Sequence, residues 1–155
     1  MPRIIVGSGV VNQIPLDWEG NFVRILNVIQ EAQQFHVSIL CLPELCLTGY
    51  GCEDQFYSSF TEEQSWSYLT KLIPHTPDIT VFVGLTIRFA GKLYNVSACI
   101  SNKKLMALIP KQHLANDGVH YEARWFTPWP ASQRAYIVKD GLNIPLGDYR
   151  VNVGN

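Results

Sequence analysis

Charge is scarce in this chain of 155 residues: Asp, Glu, Lys and Arg make up 16% of it, and the formal net charge is -1. No Lys/Arg block interrupts that balance, so the sequence offers no electrostatic footprint for nucleic acid or for an anionic lipid surface. It also lacks any apolar run long enough to span a bilayer, and residues 1–7, MPRIIVG, are too short before the first glycines to act as a signal peptide. These absences predict a cytoplasmic protein with no membrane and no nucleic-acid partner. The cysteines, Cys41, Cys46, Cys52 and Cys99, form no CxxC pair and have no His at ligand spacing, which argues against a metal site and leaves reduced thiols, with Cys41, Cys46 and Cys99 expected as buried small hydrophobes. There is no internal repeat and no low-complexity tract, and Gly7-Ser8-Gly9 is too short a pattern for a phosphate loop. The sequon Asn95-Val96-Ser97 falls inside a predicted strand of a chain read as non-secreted, so no glycan is expected there.

What is present is enough apolar material for one domain with a core, 47% of the residues. Residues 3–11 read as a first strand. Asp17 is placed to cap a helix over residues 18–35, where Phe22, Ile25, Leu26, Ile29 and Ala32 recur at helical spacing. Residues 37–42 give a second strand, so the opening is a βαβ unit with a parallel pair. Thr61-Glu62-Glu63-Gln64 matches a capping box and predicts a helix from there to Leu72, ended by Pro74 and Pro77. Residues 79–89, 93–101 and 104–109 are β-rich runs separated by Ala90-Gly91-Lys92 and Asn102-Lys103, which predicts an antiparallel meander. Periodicity fails over residues 110–134 while aromatic and polar residues crowd together, which predicts an ordered, functional irregular segment. Residues 135–139 and the stretch from Tyr149 onward read as strands, with Asp140-Gly141 and Leu146-Gly147-Asp148 as turns.

Two residues stand where such a fold concentrates chemistry. Glu44 follows the apolar run of the second strand, and Lys111 follows the last strand of the meander; ligands of open α/β sheets collect at strand ends of this kind. Glu122, in YEARWFTPW, supplies a second carboxylate near the lysine, and two carboxylates around one ammonium form a group whose protonation is coupled. Each has a plain structural alternative. Glu44 is equally served by backbone N–H groups, Lys111 by solvent, Glu122 by Arg124, and Tyr50 by the core.

The stretches LPELCLTGYGCED (residues 42–54), PKQHLAN (residues 110–116) and YEARWFTPW (residues 121–129) together resemble the glutamine-hydrolysing domain of glutamine-dependent NAD synthetases, a branch of the nitrilase (carbon–nitrogen hydrolase) superfamily. The likeness spans nearly the whole chain, residues 1–155, and implies the N-terminal part of a four-layer αββα sandwich, an α/β fold in which two sheets lie face to face with helices outside. It implies Glu44 and Lys111 as catalytic residues, with Glu122 supporting the lysine and substrate and Tyr50 near the glutamine pocket or ammonia exit. The family's nucleophilic cysteine sits in a later Cys-Glu-Asp-like motif that these residues do not reach. Cys52-Glu53-Asp54 imitates that tripeptide but belongs to the Glu44 motif, so the role is not transferred to it. Asp117 stands where another branch of the family has an aromatic near the substrate.

The activity implied for the full-length protein is hydrolysis of the glutamine amide, with ammonia passed to a synthetase domain in cis that uses ATP and Mg2+ to amidate deamido-NAD. No cofactor is expected in the present domain. A homo-oligomer is expected, and these residues in isolation are expected to hydrolyse no glutamine and to self-associate through an uncovered sheet face. Two other readings fit the same residues, a different carbon–nitrogen hydrolase such as an amidase or carbamoylase, and a non-catalytic nitrilase-like interaction module.

Overall fold

Helix α1 (Trp18–Gln34) begins where Asp17 turns its carboxylate back to accept the Gly20 N–H at 3.2 Å, satisfying one of the donors that every helix start leaves unpaired. Asn21, Ile25, Ile29 and Ala32 follow at helical spacing and are buried, with Phe22 and Leu26 flanking them, so the helix lays one apolar stripe on the sheet. The structure, a computed structural model, describes residues 3–150.

The other elements are β1 (Val6–Ser8), β2 (Ile39–Cys41), α2 (Ser59–Leu72), β3 (Thr80–Phe89), β4 (Lys92–Ser101), β5 (Lys104–Pro110), β6 (Arg134–Lys139) and β7 (Leu142–Gly147). Among the described residues the strands form one sheet in the order β1-β2-β3-β4-β5-β7-β6. β1, β2 and β3 run parallel, β3 to β5 form the antiparallel meander, and β7 enters parallel to β5 with β6 paired outside it. Ala90-Gly91 and Asn102-Lys103 close the meander with positive φ at both turn positions, the twist that a two-residue hairpin requires.

Four details depart from the sequence expectations. β1 and β2 are shorter than residues 3–11 and 37–42, because the chain leaves the ladder soon after Gly9 donates to the Cys41 carbonyl at 2.9 Å, to reach α1 on one side and the Glu44 loop on the other. α2 starts at Ser59 rather than at a Thr61 cap. Thr61 and Glu62 are buried inside it, and the Glu62 carboxylate accepts from Lys139 Nζ at 3.0 Å and from the Arg88 N–H at 3.2 Å instead of capping. Leu146 and Gly147 end a strand rather than form a turn, since Leu146 is buried and pairs with Leu108 of β5. Tyr149 and Arg150 lie outside any strand, and the rest of the strand expected from Tyr149 onward lies outside the described residues.

Both helices cover the same face of the sheet. Val81, Val83, Leu85 and Ile87 of β3 and Tyr94, Val96, Ala98 and Ile100 of β4 alternate onto that face and join Ile25, Ile29, Leu69 and Leu72 in the main core. Of the four layers the resemblance implies, the described residues supply one helical layer and one sheet. The opposite face, which includes Phe82, Gly84, Asn95, Ser97 and Ile109 by alternation, is covered in part by a second cluster of Leu45, Cys52, Phe56, Leu93 and Phe126. No helix among the described residues is long and apolar enough to cross a membrane.

Candidate active site

Leu42 still donates to the Phe82 carbonyl at 3.0 Å, as a continuing strand would, and then the chain folds across β3 onto the face opposite α1 and α2. Gly84 permits this crossing: a Cβ there would stand 2.4 Å from the Leu45 nitrogen and 2.5 Å from the Pro43 oxygen. A lone glycine inside a strand is the sequence signal for such a close backbone approach, and it would have marked this position. The loop is pinned from behind. Buried Asn21 of α1 donates to the Leu47 carbonyl at 3.2 Å, Leu16 N–H donates to the Thr48 carbonyl at 2.8 Å, and Leu47 N–H returns to the Gly84 carbonyl at 3.2 Å. Glu44 is therefore held by the tight crossing and this framework.

Lys111 follows β5, and its backbone is fixed on both sides, the N–H to the Asn95 carbonyl at 2.8 Å and the carbonyl to the Trp129 N–H at 3.0 Å. Its ammonium lies 2.8 Å from Glu44 Oε2 and between 2.9 and 3.0 Å from the two oxygens of Glu122. The acid after the second strand and the amine after the meander thus meet at one rim. Asn95 joins them, donating from Nδ2 to Glu44 Oε2 at 2.8 Å. Beyond the sequon, nothing in the sequence marks Asn95 for this site, because a polar residue between Tyr94 and Val96 reads as ordinary alternation.

Glu122 occupies a short 3₁₀ turn, Glu122–Arg124, and turns inward: its Oε2 accepts the Ala115 N–H at 2.7 Å and its Oε1 the Tyr50 hydroxyl at 3.0 Å. Burial alone would raise the Glu122 pKa, but Lys111, the Ala115 N–H and the Tyr50 hydroxyl outweigh it and hold the carboxyl below the usual carboxylate range. Burial likewise works to lower the Lys111 pKa, yet its bonds to Glu44 and Glu122 prevail and keep the ammonium charged. Burial, then the bond to Glu122, pushes the Tyr50 phenol far above its ordinary value, so it serves as a fixed donor. Arg124, an alternative partner for Glu122, forks onto Asp54 instead at 2.8 and 2.9 Å.

The two carboxylates are not equivalent. The Glu122 side chain is 1% exposed and fully engaged, whereas that of Glu44 is 43% exposed and faces a concavity of about 320 Å³ lined by Cys41, Gly84, Ser97, Ile109 and Lys111 among others. Glu44 is the one placed to exchange a proton with a ligand; Glu122 is placed to fix the lysine. A fixed ammonium beside an accessible carboxylate, over an open concavity, suits a reaction in which negative charge develops on an oxygen while a proton moves.

The thiols divide in the same way. Cys46 and Cys99 are buried as expected, and burial pushes the Cys46 thiol up to about 12. Cys41 is exposed rather than buried, because its side chain points to the concavity on the face opposite α1 and α2. Cys52 is buried against the carbonyls of Thr48 and Gly49 at 3.1 and 3.2 Å and its pKa is raised by burial, the reverse of what a nucleophile needs. Trp129 and Phe126 are buried packing residues, and His120 lies at the surface. Asn95 of the sequon is buried at 3% exposure. No group of three or more His, Cys, Asp or Glu side chains is placed to hold a metal among the described residues.

The carbon–nitrogen hydrolase family model matches residues 6–146. Over 157 aligned residues the chain is 40% identical to the glutamine-dependent NAD(+) synthetase of Mus musculus, covering 94% of this chain and 22% of that protein. A crystal structure of a glutamine-dependent NAD(+) synthetase from Cytophaga hutchinsonii superposes with a TM-score of 0.94 at 44% identity, covering 97% of this chain and 26% of that one. An amidase from Nesterenkonia sp. shares the fold, with a TM-score of 0.71 at 17% identity over 92% of this chain and 54% of its own. The chain thus spans about a fifth of the length of the curated relatives it matches, 22% in the mouse protein.

Proposed function

The chain belongs to the carbon–nitrogen hydrolase family, and from that premise we propose that it is the N-terminal part of a glutaminase domain, in which Glu44 and Lys111 act on the side-chain amide of glutamine. The observation that carries this reading is the 2.8 Å contact between Lys111 Nζ and an accessible Glu44 carboxylate, over a concavity on the face that the helices leave open. Amide hydrolysis needs a nucleophile, and a thiol supplied outside these residues is mostly protonated at neutral pH until a base takes its proton. Glu44 is that base. Attack on the amide carbonyl places negative charge on oxygen, and the Lys111 ammonium stabilises it. Glu44 then returns the proton to the nitrogen, which leaves as ammonia, and next activates water against the thioester. Glu122 and Tyr50 hold Lys111 in place throughout.

In the full-length protein the ammonia passes to a synthetase domain that amidates deamido-NAD with ATP and Mg2+, in a cytoplasmic homo-oligomer. Both site carboxylates are already engaged by Lys111, and no group of three or more His, Cys, Asp or Glu side chains among the described residues is placed to hold that metal.

The test is glutaminase turnover by the complete gene product. Glu44→Gln is expected to abolish ammonia release, and Lys111→Ala to lower kcat by about 100- to 1,000-fold, the usual cost of losing an oxyanion donor. A simple aliphatic amide turned over faster than glutamine would overturn the substrate assignment, and full activity in Glu44→Gln would overturn the catalytic one.

A further inference from the structure

Asn95 is in contact with both members of the proposed catalytic pair. Its side-chain Nδ2 donates to Glu44 Oε2 at 2.8 Å, and its main-chain carbonyl accepts the Lys111 N–H at 2.8 Å. It sits at 3% exposure in β4, opposite Thr86 of β3, so strand pairing fixes it independently of the loops that carry Glu44 and Glu122. The orientation of its amide is dictated: turning the amide over would set its oxygen against a carboxylate at the same distance, acceptor against acceptor.

Lys111 Nζ donates to that same Oε2, also at 2.8 Å. Two donors therefore converge on one oxygen of Glu44, while Oε1 has no hydrogen-bond donor among the described residues and belongs to a side chain that opens onto the concavity. We propose that Asn95 is a positioning residue for the amide hydrolysis read above: it clamps Oε2 together with Lys111 and so makes Oε1 the oxygen that accepts and returns the proton. The inference rests on that reading of the site. In proton terms, the thiol proton moves to Oε1 as the sulfur–carbon bond forms. The same proton moves from Oε1 to the amide nitrogen as the carbon–nitrogen bond breaks. The charged or titratable groups facing Glu44 are Lys111 from the end of β5, Glu122 and Tyr50 behind that lysine, and Cys41 across the concavity.

The experiment uses the complete gene product with Asn95→Ala, Asn95→Ser and Asn95→Asp, and Thr86→Val as a strand-partner control. Losing a hydrogen bond to a charged group is expected to lower kcat by about 10- to 100-fold with little change in KM. The acidic limb of kcat/KM against pH is expected to move to higher pH in Asn95→Ala and Asn95→Ser, because the carboxylate loses a donor that favours its charged form. It moves further in Asn95→Asp, which keeps the shape and adds a negative charge. Thr86→Val leaves the limb in place. A folded Asn95→Ala or Asn95→Ser enzyme with an unmoved limb overturns the proposal. Should the wild-type protein release no ammonia from glutamine, the functional reading fails separately. Carbon-13 titration of the Glu44 carboxyl in wild type and Asn95→Ala then decides the clamp by itself, an unchanged midpoint counting against it.

Discussion

The meander of β3, β4 and β5, with Lys111 at its end, and the irregular segment over residues 112–133 lie against each other, and different forces hold them. The meander is a continuous ladder from Thr80↔Ser101 to Phe89↔Lys92, continued into β5, with Val81, Val83, Leu85 and Ile87 at 0% exposure beneath it. Its strands contain no Asp or Glu. The irregular segment has almost no ladder. It is attached by the buried Glu122 cluster, by the Arg124–Asp54 fork, and by rings: Trp129 edge-on to Tyr94 and Phe126 against Phe56, both with centroids 5.0 Å apart. The difference separates frame from staple. Lys111 and Asn95 belong to a frame whose stability is apolar and cooperative, while Glu122, which fixes the lysine, belongs to a segment whose stability is ionic and local.

The largest expected effect comes from breaking the frame. Leu85→Ala removes a fully buried side chain of β3 from beneath the ladder and is expected to cost about 2–5 kcal/mol, seen as a lower denaturant midpoint for the whole domain with both regions unfolding together. If the irregular segment kept its hydrogen-exchange protection while the meander lost it, the segment would be the independent unit and the comparison would be reversed.

That frame was largely legible in the sequence because its causes are local. Asp17 followed by apolar residues at helical spacing specifies α1, and Asn102-Lys103 and Ala90-Gly91 specify tight hairpins between β-branched runs. The positions of Glu44 and Lys111 after strands were legible for the same reason. What was not legible depends on partners distant in sequence. The α2 start was misread because Glu62, which suits a first turn, is instead used by Lys139 and Arg88. β7 was missed because Pro145 and Gly147 suggest a turn, whereas its place in the sheet is set by Leu146 meeting Leu108. Asn95 was missed because alternation says which face a strand residue takes and nothing about what it meets there.

A middle-sized effect is expected from cutting the staple. Glu122→Gln keeps the shape but removes the charge that Lys111, the Ala115 N–H and the Tyr50 hydroxyl all address, so it is expected to cost about 1–3 kcal/mol. Hydrogen exchange is expected to rise across residues 112–129 and stay at wild-type levels in β3 and β4. Acid should do the same reversibly. Because folding holds the Glu122 pKa below the value of an unfolded chain, its stabilisation is fully present above the usual carboxylate range and is lost as pH falls through the lower folded value. Exchange measured on a descending pH series, corrected for intrinsic rates, should therefore loosen the irregular segment before the meander. Equal loss in both regions would mean the acid transition is governed elsewhere.

The smallest effect is expected at the outer edge of the same segment. Arg124 grips Asp54 through two hydrogen bonds and the Trp125 indole adds a third at 3.0 Å, which holds the Asp54 carboxyl down at about 2. Three contacts converge on one carboxylate, but both charged side chains are more than half exposed, 54% for Arg124 and 61% for Asp54. Solvent and salt screen such a fork, and ordering two mobile side chains offsets much of what remains. Asp54→Asn is therefore expected to leave the unfolding midpoint within replicate scatter and to raise exchange only around residues 122–125, with even that difference shrinking in 1 M salt, where the screening length is about 3 Å. If Asp54→Asn instead loosened residues 112–129 as much as Glu122→Gln does, the exposed fork rather than the buried carboxylate would be what ties the segment to the frame, and the part of Glu122 would shrink to orienting Lys111.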